Sequence, residues 1–181
     1  MKLFKKAIVG AACGTFLMGS SLLAADEFKF LPLFTDDNYQ PQFEVAAVVQ
    51  SVNFEHDTVT AYGAEVSFDC PVFTLPGDHT LRQQLTVLSY DTEGTTTMSI
   101  EMNPYYFFKL QDKLELGVGP GIGGIKSDDT WRFTYQAGAG LKYYATQNIL
   151  VGVDARWQGV QEKDGVDMDN TRLVAKVGYR F

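Results

Sequence analysis

Cysteine is almost absent from this chain of 181 residues, which has only Cys13 and Cys70. Cys13 lies in an N-terminal stretch that reads as removable, so one thiol remains and no internal disulfide can brace the rest. Cys70, in "FDCPVF", has no histidine near it in sequence and reads as a structural thiol at a strand end or turn. Histidine is as scarce, with His56 in "EHDT" and His79 in "GDHT", neither within two residues of a serine. The two are expected in connections at opposite ends of the fold, so no metal quartet and no nucleophile-histidine pair is apparent, and catalysis is not expected. Runs of helical period are missing after the first twenty-five residues, which excludes a helical bundle and points to an all-β chain.

The N-terminus carries an export pattern. Lys2, Lys5 and Lys6 precede the apolar core "AIVGAACGTFLMGSSLL", and "LLAA" before Asp26 supplies small residues for cleavage, expected after Ala25. A retained membrane anchor fits less well, because the apolar run is short and interrupted by Gly and Ser. Loss of residues 1–25 removes three lysines and leaves 22 acids against 12 bases, a formal charge of about −10, so nucleic acid is not an expected partner.

What the rest of the chain has in abundance is period-two alternation. In 131–146, Trp131, Phe133, Tyr135, Ala137, Ala139, Leu141 and Tyr143 share one face, while Arg132, Thr134, Gln136, Gly138, Gly140 and Lys142 share the other. Eight such strands are predicted, at 43–54, 58–68, 80–91, 96–110, 114–126, 131–146, 149–161 and 170–181. Several exceed the usual length of soluble strands and match what a tilted strand needs to cross a bilayer. The connections "QDK" and "TQN" are tight, whereas "KSDD" and "QEKDGVDMDN" are acidic; this asymmetry suggests periplasmic turns and outer loops, with both termini periplasmic.

The polar parity then faces a lumen. It would enclose Glu44, Glu65, Glu101, Glu115 and Asp154 together with Arg82, Lys109, Arg132, Lys142, Arg156, Lys176 and Arg180. Buried charges are costly unless paired, so these five acids and seven bases are expected to neutralise one another and plug the interior. Gly117, Gly119, Gly121 and Gly123 share the inward parity and would leave room for Tyr105 and Phe107. The formal G-x-G-x-x-G of Gly119, Gly121 and Gly124 lacks a following helix, so no dinucleotide or other cofactor is expected.

The export signal, the eight alternating strands and the ending "LVAKVGYRF" together resemble the small outer-membrane β-barrels of Gram-negative bacteria. The likeness is to the OmpA membrane domain and OmpX type, in the outer-membrane β-barrel domain family, over residues 43–181. That resemblance implies an eight-stranded antiparallel up-and-down transmembrane barrel in the cell outer membrane, in contact with outer-membrane lipid and lipopolysaccharide. It also implies recognition of Tyr179 and Phe181, behind Val177, Ala175 and Leu173, by the barrel-assembly machinery during insertion. A soluble lipocalin-like barrel is the architectural rival, but it would place apolar residues inside.

Residues 26–42 precede the barrel and read as a periplasmic arm packed on the barrel end, a partial plug being the sharper alternative. Glu162, Asp164, Asp167 and Asp169 lack calcium-loop spacing and read as a hydrophilic surface loop. The expected role is structural or surface-interacting, without catalysis and as a monomer; a narrow porin-like channel is the alternative, and an adhesin or lipid-A-modifying enzyme a further one.

Overall fold

The computed structural model describes residues 29–30, 40–55, 57–70, 72–75, 79–92, 94–162 and 168–181. The strands are β1 (Lys29–Phe30), β2 (Phe43–Asn53), β3 (Thr58–Asp69), β4 (Phe73–Thr74), β5 (His79–Thr92), β6 (Thr95–Gln111), β7 (Leu114–Ser127), β8 (Thr130–Tyr144), β9 (Ile149–Val160) and β10 (Asn170–Arg180). Eight of them form a closed antiparallel barrel in the order β10-β2-β3-β5-β6-β7-β8-β9, while β1 and β4 pair as a separate two-stranded sheet. The eight barrel strands begin and end within two residues of the limits expected from alternation.

Closure explains why the chain can end on an aromatic residue. Strand β10 pairs with β9 on one side and with β2 on the other, from Thr171↔Asn53 to Arg180↔Glu44. The Phe181 N–H donates to the Phe43 carbonyl at 2.9 Å, so the last residue is held by the first strand. A closed ladder has no exposed edge to recruit a second chain.

The alternation sorts the wall into two faces. Outward rows of Val, Ile and Leu, such as Val45 and Val49, Val151 and Val153, and Leu173 and Val177, are exposed. So wide an apolar belt suits hydrocarbon and not water. Aromatic rings collect near both ends of this belt. At the end holding Phe43 and Phe181, Tyr179 and Phe181 lie 5.1 Å apart, Tyr106 and Phe108 4.5 Å, and Phe43 and Phe68 5.9 Å between ring centroids. Toward the opposite end Tyr135 meets Trp157 at 5.5 Å, and Trp131 and Phe133 are exposed beside them.

The connections do not differ in length between the two ends as expected. Nine residues separate β3 from β5 at the terminal end, and nine separate β9 from β10 at the opposite end. "KSDD" is as tight as "QDK": Asp128 and Asp129 form a two-residue turn, with Asp128 at φ 45°. Aspartate tolerates that left-handed conformation better than most residues, so an acidic sequence here makes a short hairpin and not a long loop. Composition alone separates the ends, with Glu55, Asp57, Asp91, Asp128, Asp129, Glu162 and Asp169 at the far one.

Candidate functional site in the lumen

Inward side chains form stacked layers. The layer nearest the termini is centred on Glu44, the second residue of β2, whose carboxylate is buried. It accepts hydrogen bonds from Lys142 Nζ on β8 at 2.6 Å, Arg180 Nη2 on β10 at 2.8 Å, Arg82 Nη1 on β5 at 3.3 Å and Ser67 Oγ on β3 at 3.0 Å. The Tyr144 hydroxyl lies 2.8 Å from both Glu44 and Arg82. Arg82 reaches outward from this hub to Asp69 at 2.8 Å and Glu115 at 3.0 Å. Phe107 supplies a ring to the cations, 4.4 Å from Lys142 Nζ, and Arg180 stacks 3.7 Å over Tyr144.

In the next layer Lys176 donates to Glu65 at 2.9 Å and lies 3.0 Å from Asp154, while Arg156 donates to Asp154 at 2.8 Å. Arg156 also lies 3.7 Å from Glu101 and sits 5.4 Å over the Tyr105 ring, so it joins this layer to the third. There Glu101 accepts from Arg172, from Ser99 Oγ at 2.7 Å and from Gln136 Nε2 at 3.0 Å. Arg172 is held in turn by Gln158 and by Asn170 at 2.8 Å. Six acids thus meet six bases: Glu44, Glu65, Asp69, Glu101, Glu115 and Asp154 against Arg82, Lys142, Arg156, Arg172, Lys176 and Arg180. The network leaves no excess of either sign to attract ions.

Beyond the third layer the lumen turns apolar. Val52, Ala61 and Tyr90 form one buried cluster and Ile125, Val160 and Met168 another, with Phe54 packed against both. The alternation places Val52, Ala61, Tyr90, Ile125 and Val160 in the wall and Met168 in a hydrophilic loop, but it does not show that they gather into an apolar layer at the end remote from Phe181.

The inward glycines make the contents fit. A Cβ on Gly117 would lie 2.5 Å from Phe107 Cε1, and one on Gly119 would lie 2.8 Å from Tyr105 Cδ2. On Gly138 it would meet the Tyr105 hydroxyl at 2.4 Å, and on Gly140 it would meet Asp154 Oδ1 at 1.8 Å. Large inward groups on one strand therefore occupy the space that missing side chains leave on its neighbours.

Two residues expected in the lumen charge network stand outside that network. Lys109 is 40% exposed and pairs with Asp112 at 3.5 Å, because it stands at the end of β6 where the strand leaves the wall. Arg132 is only partly buried at the apolar end; its Nη1 lies 3.4 Å from Met168 Sδ and it has no ion pair among the described residues. In the other direction, Asp69, Arg172 and Tyr144 belong to the network but were not anticipated. Arg172 is signalled by parity, since it directly precedes the outward Leu173.

Other sequence candidates take structural places. His79 opens β5 and stacks on Tyr106 at 5.5 Å, with Phe108 edge-on at 5.6 Å; it is part of the ring belt and not of a loop. His56, Asp164 and Asp167 lie outside the described residues, as does the expected export segment. Cys70 is buried at the end of β3, and its N–H donates to the Leu81 carbonyl at 2.8 Å. Gly119, Gly121 and Gly124 lie inside β7, a strand flanked by strands, which rules out the dinucleotide fold. Among the described residues no cluster of His, Cys, Asp and Glu could hold a metal ion.

The sequence matches no family model and no curated protein. Solved structures do resemble it. Neisserial surface protein A superposes with a TM-score of 0.55 at 14% identity, covering 77% of this chain and 95% of that one. Ail, the attachment invasion locus protein of Yersinia pestis, gives 0.54 at 13% identity over 78% of this chain and 97% of that one. The N-terminal barrel domain of Pseudomonas aeruginosa OprF gives 0.50 at 19% identity over 78% of this chain and 100% of that one. The likeness is one of fold: this chain has the architecture of the eight-stranded outer-membrane barrels.

Proposed function

We propose that this chain is a monomeric barrel of the bacterial outer membrane, surrounded by lipid and lipopolysaccharide and with both termini in the periplasm. Its lumen is closed to solutes, and its role is structural or surface-interacting, without catalysis. The observation that carries this reading is the Glu44 hub, where groups from β2, β3, β5, β8 and β10 meet in one hydrogen-bonded cluster across the lumen. A solute on the axis would have to break several buried ion pairs at once, and then cross the apolar layer of Val52, Ile125, Val160 and Met168. His79, held on the outer wall by Tyr106 and Phe108, is in no position to act on a substrate in the lumen.

One observation favours the narrow-channel alternative. Gln50 Nε2, Gln84 Nε2, Asn103 Nδ2 and Arg156 Nε are buried without a hydrogen-bond partner among the described residues, and water in the lumen would satisfy them. Reconstitution into planar bilayers decides between the two. No unit conductance is expected above the lipid background; reproducible unitary steps would overturn the closed lumen and establish the channel.

For a surface role, the acidic far end sets the partner's charge. Ail has been solved with the heparin analogue sucrose octasulfate. The far end of this chain, with Glu55, Asp57, Asp91, Asp128, Asp129, Glu162 and Asp169, would repel such a polyanion and favours cationic partners or bridging divalent ions.

A further inference from the structure

The apolar belt on the outer wall differs in height from one side of the barrel to the other. Heights on different strands are compared through the ladder. The row that starts at Phe43 runs through Phe68, Gln83 and Pro104, then past Pro120 to Ala137, Trp157 and Thr171, and returns to β2 at Asn53, ten residues further on. Level positions therefore shift by a little over one residue per strand. With that stagger the belt starts evenly at the Phe181 end, where Phe43, Leu81, Phe108, Tyr143, Ile149 and Tyr179 are about level. It ends unevenly. On β10, β2, β3 and β5 the last outward apolar residues are Leu173, Val49, Tyr62 and Val87, and the next outward positions are the hydroxyls of Thr171, Ser51, Thr60 and Ser89, again about level with one another. Beyond them stand Asn53, Thr58 and the exposed Asp91. On β6 and β8 that level holds Ile100 and Tyr135, 45% and 49% exposed, and apolar side chains continue past it to Met98, Phe133 and Trp131.

We propose that the face formed by β10, β2, β3 and β5 thins the lipid beside it, so that headgroups descend onto Thr171, Ser51, Thr60 and Ser89, while lipid on the β6 and β8 side stands higher, up to Phe133 and Trp131. From Phe43 to Val49 is six residues, a rise of about 15 Å for a strand tilted by about 40°. From Tyr143 to Trp131 is twelve residues, a rise of about 30 Å at the same tilt. Outer-membrane barrels present a band of about 25 Å to lipid, so the first side falls well short of it. Tyr62, 64% exposed, stands just below the hydroxyl row, where a phenol meets headgroups.

Two arguments support lipid deformation over the alternatives. A rigid tilt of the barrel lowers one side as it raises the other, and leaves the height of each side's belt unchanged. A bilayer of even thickness would immerse the hydroxyl row and bring Asp91 toward hydrocarbon, where a charge is costly, whereas the bilayer yields to mismatch at modest cost. The row also follows the curve of four of the eight strands, which a fluid layer can do and a second rigid barrel cannot. Such a face recruits short or disordered acyl chains to one side of the molecule. The inference rests on the lipid-surrounded placement proposed above and not on whether the lumen conducts.

The test places a nitroxide on single cysteines of the full chain, on a background of Cys13→Ser and Cys70→Ser, refolded into dioleoylphosphatidylcholine vesicles. Collisions with a water-soluble nickel chelate are compared with collisions with membrane-soluble oxygen. Labels at Thr60→Cys and Ser89→Cys are expected to meet nickel about threefold or more as often as a label at Ile100→Cys, which is about level with them on the tall side. Equal nickel access at the three would overturn the thinning. Exclusion of both reagents at Thr60→Cys and Ser89→Cys would overturn it as well, by showing a protein cover in place of lipid. Oxygen-dominated collisions at Gln42→Cys, just beyond the belt at the Phe181 end, would mean that the barrel is displaced through an even bilayer, and would overturn it too. Val153→Cys, in mid-belt and 52% exposed in the native residue, tests the placement beneath the inference: oxygen should dominate there, and nickel access would overturn the membrane placement itself. Heat-modifiable gel migration reports folding of each variant, and Ser51→Cys takes the place of Thr60→Cys or Ser89→Cys if either does not fold.

Discussion

Glu44 and Arg180 are partners in the ladder that closes the barrel, and the Arg180 guanidinium donates to Glu44 Oε1 at 3.0 and 2.8 Å. The same carboxylate also holds Lys142 and Arg82, so one acid from the start of the barrel neutralises cations from three other strands.

Glu44→Gln would leave those three cations without their common partner. Removing one member of a buried ion pair costs about 3–5 kcal/mol, and unfolding in urea followed by heat-modifiable migration should register a loss of that order. Glu115→Gln, at the less buried edge of the same cluster, should cost distinctly less. Equal effects would show that Glu44 is no hub.

Arg172 and Lys109 offer a contrast between two bases on inward parity. Arg172→Met strips Glu101 of its closest cation and should lower stability by about 3 kcal/mol or more. Lys109→Met removes only an exposed pair with Asp112 and should leave the urea midpoint unchanged. A large effect at Lys109 would mean that the end of β6 turns into the lumen after all.

Two glycines separate crowding from backbone strain. At Gly140 a methyl group would sit 1.8 Å from Asp154 Oδ1, and Asp154 cannot retreat without loosening Lys176 and Arg156. Gly140→Ala should therefore cost about 1–3 kcal/mol or more. Gly94 has φ +82° and nothing within 4 Å of a built Cβ, so Gly94→Ala should cost only about 1 kcal/mol of strain. The reverse ranking, read from urea midpoints, would refute the packing of the lumen.

Deletion of Phe181 tests the assembly role. The residue is 74% exposed and contributes one backbone hydrogen bond and a ring contact with Tyr179 to the folded barrel. Its loss should leave refolding in detergent nearly intact but reduce the amount recovered in outer-membrane fractions. Undiminished recovery from cells would remove the assembly signal and leave the strand assignment standing.

The barrel was legible because each strand repeats its two faces over ten or more residues, and a wall with lipid outside and charge inside enforces that period strictly. Parity gives the face but not the height along the axis. Lys109 and Arg132 share the parity of Glu101 and Lys142, yet the first stands at the end of β6 and the second in the apolar layer. Height depends on the stagger between strands, which no single strand records. Strands β1 and β4 are two residues long and too short to show a period at all. The burial of Phe68, Gln83 and Pro104, all on outward parity, is likewise not signalled by the alternation of their own strands.

The Glu44 hub also ties the first barrel strand to the last. Its cations are supplied by β5, β8 and β10, the last of them 136 residues downstream. A chain cut short before β10 would present an open edge on β2 and β9 and a carboxylate short of a partner at the rim. Such a fragment lacks both a ladder partner and a counter-charge for its first strand, so closure of the wall and neutralisation of the hub fail together.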